Sequence, residues 1–368
     1  MKLQFKYTND LVLYLLKIEK YKTALEYLYL PTRAKQKLMY DAKLKKTHFS
    51  TSIEGNVLSL KQVENVINQK NQSNRLSSEE EVQNYWDALS FLEEAKEKKI
   101  PLSKEFIFNL HDIIERNGRL KRLNFRGPTP PGVLFAVYDD KTKYVEYIPP
   151  EWCDVDRLID EIILWYNSNQ DLPAPILAAI ISYAFVSVHP FLNGNGRTSR
   201  ALATYILMIK DYDFKGFNSF EEYYMSDING YYSSLQMGLP PLFYEGRENP
   251  PHLEIWLEYF CKIMALNSEN VYYQAKEASK KDVGNELNGL SKKDLILIRY
   301  CLENHVNLLK IKELALLFGV TPRAISKWMV EWVNKKILIP NSGNARITSY
   351  KLSNKYASLK VSDVGFIE

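Results

Sequence analysis

Residues 175–211 read PILAAIISYAFVSVHPFLNGNGRTSRALATYILMIKD. The opening part, Ile176 to Val188, is nearly continuous apolar sequence and predicts a buried helix over 175–189, with Pro175 in the first turn, where its fixed φ is favoured. It is shorter than the ~20 apolar residues a membrane span needs and runs straight into a polar loop. The closing part predicts an amphipathic helix over 197–211. Between them lies His189-Pro190-Phe191-Leu192-Asn193-Gly194-Asn195-Gly196-Arg197-Thr198-Ser199-Arg200. Gly194 and Gly196 let the backbone take positive φ and approach a ligand, so that successive N–H groups can converge on an anion. The loop then enters a helix, whose first N–H groups have no intrahelical partner and whose dipole attracts negative charge. Arg197 and Arg200 are three apart and share a face suited to phosphate oxygens. Asn195 can donate to a phosphate, and His189 has the proton affinity of a general base for a hydroxyl. A base beside a phosphate cradle points to transfer of a phosphorus group.

Outward from this loop the pattern is mainly helical. Apolar residues recur at helical spacing from Leu11 to Ile67, interrupted by Pro31 and by Glu54-Gly55-Asn56, which by themselves read as a helix C-cap. Residues 71–78 are polar and act as a linker or helix cap. Helices are expected over 78–95, 104–115, 154–168, 221–237 and 252–267, with Asn117-Gly118 closing the second. Val133 to Tyr138, a polar turn at 139–142 and Tyr144 to Ile148 predict a β-hairpin stopped by Pro149-Pro150. A charged segment at 276–289 marks a boundary. Beyond it come three short helical patterns, including 310–318 and one from Pro322 to Lys335 capped by Thr321, then strand-like runs flanking a loop at 340–346. That order is a winged helix-turn-helix pattern. The expected domains are an N-terminal helical region at 1–75, a central domain at 76–270 and the winged helix at 288–358.

The 368 residues are 46% hydrophobic and 25% charged, the composition of a folded globular chain rather than a disordered or collagenous one. The net charge of +4 is too small for a polybasic wrapper of nucleic acid. Cys153, Cys261 and Cys301 are widely spaced, with no CxxC pair, which argues against a disulfide framework or a zinc site. The N-terminus lacks the uninterrupted apolar core of a signal peptide. A cytoplasmic protein with no membrane segment is expected.

The segment from His189 to Arg200 resembles the signature of Fic-domain proteins, in outline HPFxxGNGRxxR, and the likeness extends over roughly residues 80–265. The resemblance implies a Fic-type helical domain that transfers AMP from Mg-ATP to a Ser, Thr or Tyr hydroxyl of a protein, the chain itself included. It makes His189 the general base, places Gly194, Asn195, Gly196 and Arg197 around the α- and β-phosphates, and puts Arg200 on the γ-phosphate. Asn229, Tyr231 and Tyr232 fall where the family contacts adenine. The hairpin, with Val133, Val137 and Tyr138, resembles the flap that docks the target segment by strand addition. Where the family has a carboxylate for magnesium, this chain has Asn193, a neutral and weaker ligand for Mg2+.

Ser50, Glu54 and Gly55 satisfy an inhibitory motif of the same family, [S/T]xxxE[G/N], ahead of the domain. A carboxylate there would pair with Arg200 and occupy the γ-phosphate's place. Related chains form dimers that bury this helix, so a homodimer is expected. Between Lys310 and Lys351 eight lysines and arginines face two acids, and Arg323 and Lys327 share a helix face, so the winged helix is a candidate DNA contact or a protein-binding module. Two other readings stand beside AMP transfer: a nucleotide-sensing, DNA-binding transcription regulator, and a Fic-type enzyme moving a different phosphorus-containing group.

Overall fold

A computed structural model describes residues 1–69, 76–116, 124–138, 144–287, 290–306, 308–341, 349–359, 361 and 364. In chain order the elements are α1 (Asn9–Glu26), α2 (Thr32–Ile53), α3 (Leu60–Asn68), α4 (Ser77–Glu97), α5 (Lys104–Ile114), β1 (Val137–Tyr138), β2 (Val145–Tyr147), α6 (Trp152–Ser168), α7 (Ala174–Val188), α8 (Asn195–Ile209), α9 (Glu221–Ser226), α10 (Ile228–Gln236) and α11 (Leu253–Leu287). They continue as α12 (Lys292–Glu303), α13 (Ile311–Phe318), α14 (Pro322–Asn334), β3 (Leu338–Pro340), β4 (Tyr350–Leu352) and α15 (Asn354–Ala357). The chain divides into two compact units: Met1–Leu25 with Lys37–Tyr272, and Glu26–Gln36 with Tyr273–Glu368.

In the first unit α7 is the core helix, buried on every face except at Val186. A helix enclosed all round needs no polar stripe, which is why its sequence shows none. It packs chiefly on α8, and a buried hydroxyl pair fixes the two together: Ser199 Oγ donates to the Ser182 carbonyl at 2.8 Å and lies 2.9 Å from Ser182 Oγ. Trp256 on α11 donates its indole N–H to the Ala179 carbonyl at 2.7 Å, satisfying a polar atom that burial would otherwise penalise. Tyr205 of α8 stacks on Phe106 of α5 with centroids 4.4 Å apart, an arrangement worth ~0.5–1.5 kcal/mol beyond area burial. The loop between α7 and α8 is thus carried on two anchored helices.

In the second unit Trp332 and Met329 of α14, Leu297 and Ile298 of α12 and Leu314 of α13 form a core with Leu338 and Leu352 of an antiparallel strand pair. Asp294, buried at the start of α12, accepts from Trp332 Nε1 at 2.8 Å and from Lys335 Nζ at 2.9 Å.

Several expected boundaries move. The span 221–237 is two helices, because Asp227 leaves helical geometry (φ −133°, ψ 55°) and its Oδ1 caps the next one by accepting from the Gly230 N–H at 3.2 Å. The helix expected to end near 267 continues to Leu287, since Val271 and Ala275 remain buried along it. The hairpin is shorter than expected. Val133 donates its N–H to the Pro130 carbonyl and its own carbonyl accepts from Thr129 Oγ1, so a turn takes the groups a strand would need. The expected cap at Asn117-Gly118, the hairpin turn at 139–142 and most of the loop at 340–346 lie outside the described residues.

Candidate active site

His189 is the C-cap of α7, in left-handed geometry (φ 50°, ψ 56°), with its N–H donated to the Phe185 carbonyl at 3.1 Å. Its Nδ1 lies 3.2 Å from the Val186 carbonyl. A carbonyl only accepts, so Nδ1 carries the proton and Nε2 keeps its lone pair. Burial pushes the imidazole down to about 4, against a smaller upward pull from the Val186 carbonyl and Glu54, so the ring is neutral at physiological pH. Arg126 pins the turn that follows: its backbone N–H donates to the Pro190 carbonyl at 2.8 Å, its Nε to the His189 carbonyl at 2.9 Å and its Nη2 to the Pro150 carbonyl.

The loop then closes on itself. Asn195 donates from Nδ2 to the Phe191 carbonyl at 2.8 Å and accepts from the Phe191 N–H at 3.0 Å. That side chain is spent on shaping the loop, where the sequence reading has it donate to a phosphate. What the loop offers an anion is backbone: the first helical bond of α8 runs from the Thr198 N–H to the Gly194 carbonyl at 2.9 Å, ahead of which the N–H groups of Asn195, Gly196 and Arg197 have no helical acceptor. Gly194 has the positive φ expected of it (73°). Gly196 does not; it is glycine for space, since a Cβ there would stand 2.3 Å from Glu54 Oε1.

His189, Gly196, Arg200, Tyr231, Tyr232 and Val137 line one cavity of about 170 Å³, with Glu54 at its wall. Arg200 is enclosed and triply held: Nε donates to Ser50 Oγ at 2.9 Å, and Nη2 to the Ser50 carbonyl and to Glu54 Oε1, both at 2.8 Å. Burial alone would raise the Glu54 carboxyl, but Arg200 and then Arg197 outweigh it and hold it below the ordinary value, so Glu54 is ionised. Gly55 takes φ 94° just beyond the contact. The structure therefore brings together His189, Gly196, Arg200, Tyr231, Tyr232, Val137, Ser50 and Glu54. It does not bring Asn229, Val133 or Tyr138 to the cavity; all three are exposed.

Arg197 also departs from expectation. It does not line the cavity, and its terminal nitrogens sit on carboxylates: Nη1 2.6 Å from Glu81 Oε1 and Nη2 2.8 Å from Glu115 Oε1. Glu115 in turn accepts from Asn193 Nδ2 at 3.1 Å, and a Cβ on Gly194 would stand 2.6 Å from Glu115 Oε1. One carboxylate thus braces the loop on both sides of Gly194-Asn195-Gly196. His111 stacks on Phe191 at 3.5 Å and meets the Asn193 carbonyl at 3.0 Å. Nothing local in the sequence singles out Glu81, Glu115, His111 and Arg126, since they reach the loop from distant parts of the chain: Glu81 from α4, His111 and Glu115 from α5 and its cap, and Arg126 from the segment before β1.

Residues 101–207 match the model of the Fic/DOC family. A protein named protein adenylyltransferase Fic from Drosophila grimshawi is 27% identical over 203 residues, which are 54% of this chain and 40% of that relative. The chain thus spans well under two thirds of the relative's length. Among solved structures, a Fic family protein from Desulfovibrio desulfuricans has a TM-score of 0.58 at 17% identity, covering 95% of this chain and 98% of that one. A Fic domain containing signaling protein from Bacteroides thetaiotaomicron has a TM-score of 0.57 at 20% identity, covering 71% and 98%. The fold is Fic-type. Among the described residues no helix is long and apolar enough to cross a membrane.

Proposed function

We propose that the Fic-type domain of this chain transfers AMP from ATP to a Ser, Thr or Tyr hydroxyl of a protein, its own chain included, and that Glu54 restrains the reaction. The observation that carries this reading is one cavity holding a neutral imidazole whose Nε2 can accept a proton, beside the uncapped start of α8 and a buried arginine. His189 Nε2 takes the proton of the target hydroxyl as that oxygen bonds to the α-phosphorus. The bond from this phosphorus to the α,β-bridging oxygen breaks, and pyrophosphate leaves. The free N–H groups at Asn195, Gly196 and Arg197 and the helix dipole stabilise the phosphate charge. Arg200 receives the terminal phosphate once Glu54 has left it; while Glu54 holds Arg200, ATP has no place there for its γ-phosphate. Tyr231 and Tyr232 supply an apolar wall for the base.

Magnesium is the companion of ATP in this reading, and the donor set at the loop can be tested against it. Asn193 is fixed by Glu115 through its amide nitrogen, so the oxygen it presents is Oδ1, one neutral ligand. That suits an ion held mostly by phosphate oxygens and water, the usual arrangement for Mg2+. Bound there, it would offset charge building on the leaving pyrophosphate. For the second unit we propose DNA contact through α14, where Arg323 and Lys327 are exposed one turn apart.

The test is incubation of wild type, Glu54→Gly and Glu54→Gly/His189→Ala with α-labelled or γ-labelled ATP. Label from the α position that depends on His189 supports AMP transfer. Label from γ alone means phosphorylation, and none from either means a nucleotide sensor.

A further inference from the structure

Glu54 on Arg200 is one attachment of the inhibitory segment; a second runs to the neighbouring arginine through a carboxylate. Asn56 donates from Nδ2 to Glu81 Oε2 at 2.7 Å and to the Ser78 carbonyl at 2.9 Å. Its Oδ1 accepts from the Leu58 N–H at 3.1 Å, so the amide nitrogen is the end that faces Glu81. The other oxygen of Glu81 lies 2.6 Å from Arg197 Nη1. Arg197 is 5% exposed, and an enclosed guanidinium does not readily give up a carboxylate, so its grip sets where Glu81 stands. Asn56 must meet Glu81 there. The Asn56 N–H also donates to the Thr51 carbonyl at 3.1 Å, which ties Asn56 to the last turn of α2, the turn that leads into Glu54.

We propose that Asn56 and Glu81 are positioning residues that seat the Glu54 segment by fastening it to Arg197, separately from the contact with Arg200. This rests on the reading that Glu54 restrains transfer. The geometry has a direct consequence: anything that loosens Asn56 from Glu81 lowers the occupancy of Arg200 by Glu54 without touching either of those residues. A charge-assisted hydrogen bond at a partly exposed pair is of the size that shifts such an equilibrium roughly tenfold.

The variant that separates seating from general damage is Asn56→Asp. It keeps the oxygen that accepts from Leu58 and replaces the donor facing Glu81 with a like charge. Self-labelling from α-labelled ATP is measured for Asn56→Ala and Asn56→Asp, each alone and combined with Glu54→Gly, together with hydrogen exchange of residues 50–56 without nucleotide. The expected result is a rise of roughly tenfold for Ala and more for Asp, faster exchange in both, and a change within about twofold in the Glu54→Gly background. Equal rates for wild type and Asn56→Asp while Glu54→Gly is active would overturn the proposal, as would equal losses in both backgrounds. If Glu54→Gly itself matches wild type, the parent reading has failed instead; unchanged exchange of 50–56 in Asn56→Asp then overturns the seating as well.

Discussion

Replacing Glu54 with glycine removes the charged acceptor on Arg200 and leaves both Ser50 oxygens in place. The lost contact is charge-assisted, and breaking a fully buried pair costs about 3–5 kcal/mol. The Glu54 side chain is 26% exposed, so solvent screens part of this, and ~2 kcal/mol is the appropriate scale. At about 1.4 kcal/mol per decade, that frees Arg200 for a terminal phosphate by roughly 30-fold. The steady-state rate of His189-dependent label transfer from α-labelled ATP should rise by about the same factor. The apo protein should become less stable, because a buried guanidinium has lost its counter-charge, and ATP should restore more stability to Glu54→Gly than to wild type. Equal transfer rates in the two chains, with equal ATP-induced shifts in melting temperature, would refute the reasoning.

Transfer by Glu54→Gly should hold its rate from neutral pH down to about pH 5 and fall only at about 4 or below, because His189 accepts a proton only when neutral, burial holds it near 4 with Glu54 present, and removing that carboxylate takes away one of its upward pulls; a kcat/KM profile with its acid limb at about 6.5 would contradict this. Gly194→Ala should lower stability by at least ~1–2 kcal/mol in chemical denaturation, since φ is 73° and the added Cβ meets Glu115 Oε1 at 2.6 Å. Combining it with Glu115→Ala should cost less than the sum of the two single changes. If α14 contacts DNA, the full chain should shift a duplex at low salt, and Arg323→Ala and Lys327→Ala should each reduce the salt slope by about 1.

How far the sequence is legible depends on whether a residue's role is local. The helices α7 and α8 and the glycine at 194 can be read because neighbouring letters fix what they do, whereas Ser50, Glu54 and Arg200 are singled out through the family resemblance, and the fold brings the three side chains together. The brace from Glu115 to Asn193 and Arg197 cannot, since it joins the end of α5 to a loop far along the chain and no periodicity marks it. Asn195 and Arg197 illustrate the complement: their types suit a phosphate, but nearer partners within the fold claim their side chains. The break at Asp227 is hidden for a related reason, as an aspartate is tolerated inside a helix and only its capping bond to the Gly230 N–H shows that it ends one.

The backbone at His189 has consequences of its own. A left-handed C-cap is the conformation that glycine adopts without cost and asparagine with little, yet an imidazole occupies it. Under the proposed transfer, local conformational preference and reactivity pull in opposite directions at this one position. If His189 is the base proposed above, a chain drifting toward glycine there would gain firmness and fall silent, and a sturdier fold with a Gly at 189 would be the mark of a copy that had given up that chemistry and kept its shape.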